Sequence, residues 1–313
     1  MKRLNAKQIL YLLGLVLGAG LFVYQLGLGI GSLKSINFQW GIIWQLFGIV
    51  GLLSLALLLQ NLDWQIVLRG LEIKIPFIDV SKGYVYSFLP RYIPGSVWGY
   101  LSRGEWMKRE HGVSYSLTNL ASILEILITF VSGLMVLALA FTQTTGTELV
   151  YRVCLIVLLP IIIWFVIKLT IKRITQSNWH WKHLLTPLLV VNLKTWLVWI
   201  IFYSIHLIVE GLGLFLTIQL FWPEIVVGIN IGSILISASI FSLGWMIGLM
   251  VIFVPAGLGV REVIVTGLIN MVFGVNWEIS ALIATFFRLN YMIAEMAWLL
   301  WGVLSKGITW KNR

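Results

Sequence analysis

Residues 88–105, FLPRYIPGSVWGYLSRGE, and residues 253–264, FVPAGLGVREVI, decide how this chain is read. Each interrupts a hydrophobic run with proline, glycine and arginine. In hydrocarbon every backbone N–H and C=O needs a partner inside the protein, so irregular backbone persists only where protein or a water-filled cavity surrounds it. An arginine or glutamate near mid-membrane costs about 2.5–3.5 kcal/mol on insertion scales, which turns Arg103, Arg261 and Glu262 away from lipid. They are expected to face one another or a substrate.

The membrane setting follows from composition. Of 313 residues, 59% are hydrophobic and 11% charged, where a soluble domain carries about 25% charged residues. Mean hydropathy is +0.95. The expected fold is all-α, a polytopic integral membrane helical bundle forming one domain over 1–313, with roughly seven to nine membrane segments. The net charge of +10 sits in short loops, as topology demands, so nucleic acid is not an expected partner. One cysteine, Cys154, excludes an intramolecular disulfide and a cysteine-cluster metal site. The four histidines form no helical HxxxH pair; no metal or other cofactor is expected. His206 and Glu210, four residues apart, are placed near a span end within reach of solvent and given no role.

Spans are expected at about 9–30, 40–61, 115–142, 150–170, 188–217, 226–252 and 279–304, from their apolar lengths. The broken segments lie at about 82–100 and 254–273. The run 9–30 is too long for a signal peptide and reads as a retained first span. Lys2, Arg3 and Lys7, then Arg69, Lys74 and Lys82, Lys108 and Arg109, Lys168 to Lys182, and Lys306 to Arg313 mark the inner side. This places both termini in the cytoplasm of a multi-pass cell-membrane protein. Segment 82–100 then re-enters from the inner side, while 254–273 either crosses or re-enters. Residues 63–82 are expected to lie along the inner surface as an amphipathic element.

Both breaks run proline, glycine, arginine, glutamate: Pro94, Gly95, Gly99, Arg103, Glu105 against Pro255, Gly257, Gly259, Arg261, Glu262. The match needs a gap and is compatible with an inverted repeat. Glycines admit close backbone approach, and a helix N-terminus favours phosphate or carboxylate. Close helix packing through small residues is the competing reading. On 115–142, Thr118, Ser122, Glu125, Thr129 and Ser132 recur at three and four and share one helical face, as do Arg288, Tyr291, Met292 and Glu295 in the last span. Glu125 is expected to pair with Arg103 or Arg261. The binding set comprises Arg103, Arg261, Gly95, Gly99, Gly257, Gly259 and Trp98, the last closing the turn or stacking on an apolar ligand. Glu125, Glu262, Arg288 and Glu295 are expected to form a charge network or couple to protons.

These stretches carry a family resemblance. PGSVWGYLSRGEWMKREHGVS at 94–114, SILE at 122–125, PAGLGVRE at 255–262 and FFRLNYMIAE at 286–295 resemble the membrane-domain family of the bacterial lysylphosphatidylglycerol synthases. That family also occurs as free-standing multi-pass proteins and beside glycosyltransferases. Ala256 departs from the usual proline–glycine–glycine run. The resemblance implies a flippase-like membrane domain, a non-enzymatic translocator of an anionic or polyprenyl-phosphate-linked lipid. With no synthase domain before the end at Arg313, synthesis of the aminoacylated lipid is not expected. A membrane glycosyltransferase, an accessory subunit of a glycosyltransferase or lipid-modifying enzyme, and a small-solute transporter stay open as alternatives, as does oligomer formation.

Overall fold

The computed structural model describes residues 6–33, 40–93, 97–140, 147–176, 182–224 and 230–309. They form helices α1 (Ala6–Leu33), α2 (Gly41–Gly70), α3 (Phe77–Tyr86), α4 (Trp98–His111), α5 (Tyr115–Ala140), α6 (Thr147–Gln176), the single turn α7 (Lys182–Leu185), α8 (Leu193–Phe221), α9 (Ile231–Met250), α10 (Val260–Phe273) and α11 (Trp277–Thr309). No strand occurs among the described residues. Six helical segments there are long and apolar enough to cross a membrane, and α1 adds a shorter apolar stretch, Leu15–Gly29. The fold is a polytopic helical membrane bundle.

α8 is the hub, packed by α2, α5, α9 and α11. Between apolar helices in lipid, close van der Waals approach replaces the hydrophobic effect as the driving force, so small residues mark the contacts. A Cβ added at Gly211 on α8 would lie 2.3 Å from the Ala238 Cα of α9, and one at Gly213 would lie 2.9 Å from Leu53 of α2. α2 buries Ile49, Leu53, Ala56, Leu57, Asn61, Trp64 and Leu68, the spacing of one helical face. Its opposite face exposes Trp44, Phe47 and Leu55, side chains suited to lipid. Asparagine side chains cap three helix starts: Asn192 accepts from the Thr195 N–H, Asn230 from Gly232 and Asn276 from Ile279, which satisfies amides that have no helical partner.

Residues 63–82 differ from expectation. Residues 63–70 continue α2, with Asp63, Trp64 and Gln65 buried. The chain then turns through Glu72 in the left-handed region (φ 65°) and folds back, so the Gln65 side chain donates to the Ile75 carbonyl at 3.2 Å. Trp64 packs edge-on against Tyr84 of α3, centroids 5.6 Å apart. Asp63 and Lys82 are buried while Arg69, Glu72 and Lys74 are exposed, so the segment is a turned-back strap with apolar residues inward instead of a surface helix.

Both breaks are present. After α3 comes a tight 3-10 turn, Leu89–Tyr92, with Pro90 in its first turn, and α4 starts at Trp98. After α9 a 3-10 turn at Pro255–Gly257 leads into α10. Ala256 (φ 51°), Gly257 (φ 67°) and Gly259 (φ 80°) are all left-handed, which reverses the chain within a few residues. The two 3-10 turns touch each other. Residues 94–96, with Pro94 and Gly95, lie outside the described residues.

The seam between α8 and α9 yields a stability test. Gly211→Ala forces a Cβ into the Ala238 backbone and is expected to lower the thermal midpoint of the purified protein in detergent by several degrees. Gly51→Ala on the exposed face of α2, where a Cβ meets nothing within 4 Å, is expected to leave it unchanged or raise it, because alanine is the better helix former.

Candidate functional site

The two breaks, together with α2, α5, α9 and α11, enclose a cavity of about 710 Å³ including its mouth. Arg91, Arg103, Arg261 and Arg288 line it, with Glu125 and Glu295 as the acidic lining and Tyr84, Tyr92, Tyr100 and Tyr291 between them. Glu125, Glu295 and, behind the lining, Glu262 pair with three of the four guanidiniums, which leaves one unmatched positive charge. Residues from both broken segments therefore meet in one place.

Each arginine is placed by its own element. Arg103 lies on α4 with its guanidinium 3.7 Å from the centroid of the Tyr84 ring. Its Nη1 donates to Glu125 Oε2 of α5, and its Nε donates to Ser87 Oγ at 3.1 Å. The other Glu125 oxygen accepts from the Tyr84 hydroxyl at 2.5 Å. Of the two partners expected for Glu125, Arg103 is the one observed. Arg91, in the first break, donates to Glu295 Oε1 at 3.1 Å, and the Tyr92 hydroxyl donates to Glu295 Oε2 at 2.7 Å.

The second break is held by the Glu262 carboxylate, which folds back onto the start of its own helix. Glu262 Oε2 accepts from the Gly259 N–H at 2.5 Å, and Glu262 Oε1 lies 3.4 Å from Arg288 Nε. Arg288 Nη2 also donates to the Tyr92 hydroxyl at 3.3 Å, so α11 ties the two breaks together. The Gly257 N–H donates to the Val254 carbonyl. The amides expected to receive a ligand at this break are thus engaged within the turn, and side chains face the cavity.

Arg261 stands apart. Among the described residues it has no carboxylate partner, and its Nε is buried without an acceptor. Its stem runs through a slot of glycines: a Cβ at Gly248 would lie 2.4 Å from Arg261 Cγ, and one at Gly257 would lie 2.9 Å from Arg261 Nε. Gly257 therefore shapes the path of the arginine. Gly259 admits α1, its added Cβ falling 2.5 Å from the Gly18 carbonyl oxygen, and Gly99 admits the first break, with Ser87 O at 3.0 Å. Trp98 is 43% exposed and stands outside the cavity lining. Glu105 is exposed while Glu262 is buried, so the final positions of the two sequence patterns do not correspond.

The stripe on α5 is buried throughout, but only Glu125 and Thr129 reach the cavity. Thr118, Ser122 and Thr129 donate to carbonyls four residues back, and Ser132 donates to the Ile200 carbonyl of α8. Arg91, Tyr92 and Tyr100 escaped the sequence-based site set, although all three lie within the first interrupted stretch, residues 88–105. The signal available for Arg91 was an arginine next to proline within an apolar segment.

Removing one member of a buried ion pair leaves the other uncompensated, at about 3–5 kcal/mol. Arg103→Gln is accordingly expected to lower thermal stability sharply, and Arg103→Met with Glu125→Met to recover most of it. Arg261→Gln, which breaks no pair, is expected to leave the midpoint unchanged or higher. Unfolding followed in detergent for the four proteins checks this.

A search of curated proteins finds no match to this chain. The family model described as the lysylphosphatidylglycerol synthase TM region matches residues 11–298. With that match covering nearly its whole length, the chain belongs to the lysylphosphatidylglycerol synthase TM-region family.

Proposed function

We propose that this protein is a lipid translocator, in which the headgroup of an anionic phospholipid or polyprenyl-phosphate-linked lipid enters the arginine-lined cavity while its tails remain in the bilayer. The carrying observation is the unmatched guanidinium of Arg261. Three arginines have carboxylates within 4 Å, and the fourth faces the same cavity without one. An unpaired cation inside an apolar bundle is costly, and a phosphate supplies both the missing charge and the missing acceptors. Arginine matches phosphate oxygens with two parallel N–H donors.

The surroundings favour an amphiphile over a free anion. In the first break Arg91, Tyr92 and Tyr100 face the cavity, while Leu89, Ile93, Val97 and Trp98 are exposed. In the second, Leu249 and Ala256 line it, while Met250, Ile252 and Phe253 are exposed. A polar interior bordered by outward apolar residues at both breaks suits a molecule with a charged head and hydrocarbon tails. The family, whose description concerns lysylphosphatidylglycerol synthases, agrees with lipid handling.

Purified protein reconstituted with fluorescent lipids tests the reading through the fraction of label quenched from outside. Phosphatidylglycerol or polyprenyl phosphate is expected to cross faster than in empty vesicles, and uncharged diacylglycerol is not. Arg261→Gln is expected to slow the crossing about 10- to 100-fold, the worth of a charged hydrogen bond of about 1.5–3 kcal/mol. Rates equal to empty vesicles for every headgroup would falsify the translocator reading, whereas an unchanged rate in Arg261→Gln removes only the site assignment.

A further inference from the structure

Beside the cavity lies a second group of buried ionisable side chains that the headgroup site does not use. His206 of α8 is 1% exposed. Its Nδ1 is 2.6 Å from Asp63 Oδ2 of α2, and its Nε2 is 3.6 Å from Glu210 Oε2, one helical turn on. Glu210 Oε1 accepts from the Tyr291 hydroxyl at 2.9 Å, and the Tyr291 ring lines the cavity. Polar groups thus line up from the cavity through Tyr291 and Glu210 to His206 and Asp63, hydrogen-bonded except at the 3.6 Å approach of Glu210 to His206.

The arrangement suits a proton better than a metal ion. The ring nitrogens point in diverging directions at separate carboxylates, and among the described residues no three such groups converge on a point. A ring protonated on both nitrogens has a carboxylate facing each N–H, and one imidazolium with two carboxylates bears one net negative charge. No Lys or Arg pairs with it among the described residues. One proton on a Glu210 oxygen makes it neutral, which is the state that burial in an apolar bundle favours.

Neighbouring elements add few other charges. On α8 itself the Tyr203 ring meets His206 edge-on at 5.6 Å, and its hydroxyl is buried without a partner. Glu125 of α5 acts on His206 through space, although Arg103 pairs with it. Tyr84 of α3 and Arg103 of α4 act on Tyr203. α9 has no ionisable residue, and Lys168 of α6 turns to the Leu189 carbonyl. Arg261 acts on Glu210 as a positive charge. An anion bound at Arg261 cancels that field, and its own charge acts in the same direction, so both raise the affinity of the cluster for a proton.

We infer that the Asp63–His206–Glu210 cluster is a proton-binding site coupled through Tyr291 and Arg261 to the cavity, taking up one proton from solvent when an anionic headgroup binds. This rests on the headgroup reading above. Linkage makes the coupling reciprocal, so headgroup binding tightens as pH falls.

The test uses the full chain in nanodiscs of neutral lipid, titrated calorimetrically with short-chain phosphatidylglycerol in two amine buffers of different ionisation heat. The phosphodiester keeps its charge between pH 5.5 and 8.5. The wild type is expected to take up a proton on binding and to bind at least about fivefold more tightly at pH 5.5 than at pH 8.5, the lower end of common site-to-site coupling. His206→Gln and Glu210→Gln are expected to bind with no proton uptake and a flat pH profile. Wild-type binding without proton exchange overturns the proposal alone, as does a wild-type profile retained by both variants. Loss of binding in both variants marks the cluster as structural and also overturns it. Failure of the wild type to bind at any pH overturns the headgroup reading and this proposal together.

Discussion

A charge withdrawn from water into an apolar bundle has to be matched, and the interior of this protein is organised around that requirement. Arg103 and Glu125 satisfy it most fully: the carboxylate takes a guanidinium and a phenol, and the guanidinium adds a serine hydroxyl and lies over an aromatic face. This knot joins α3, α4 and α5. A parallel arrangement through Glu295, Tyr92, Arg288 and Glu262 joins the first break to α11 and to the second break. Matching these charges shapes the cavity, and Arg261 is the arginine left over. Its excess is supported by geometry, since two glycines hold its stem in place where no counter-charge does.

Much of the architecture is legible in the residues alone. Apolar runs long enough to span gave helices close to their expected places, and proline and glycine marked both breaks. The three-and-four spacing on α5 correctly put Thr118 through Ser132 on the buried side. Periodicity fixes a direction, however, and not a depth. It cannot tell a hydroxyl that lines a cavity from one bonded to its own helix, and most of that stripe is of the second kind. Glycine presents a similar ambiguity: Gly257 and Gly259 matter through what they let approach, Arg261 in one case and α1 in the other.

The Asp63–His206–Glu210 group was hidden for a related reason. Its members come from two helices, with Asp63 more than 140 residues before His206 in the chain, and each has an ordinary local explanation. His206 and Glu210 were expected near solvent, yet the structure buries both because α8 is the hub and is covered on several sides. Asp63 falls where an apolar run gives way to mixed sequence, which reads as the start of a surface segment. α2 instead continues for two further turns, and the turn after it folds back over Gln65. Long-range packing, which no local window contains, decided all three.

Glu262 divides its two oxygens between unlike tasks. One fastens the amide of Gly259 at the kink, and the other only approaches Arg288, at a longer and looser distance. The consequence is a separation of duties: the rivet at the start of α10 does not depend on Arg288, which is held there only by the looser contact. The bend in the chain is thus fastened by its own helix and not by the charges gathered around the cavity.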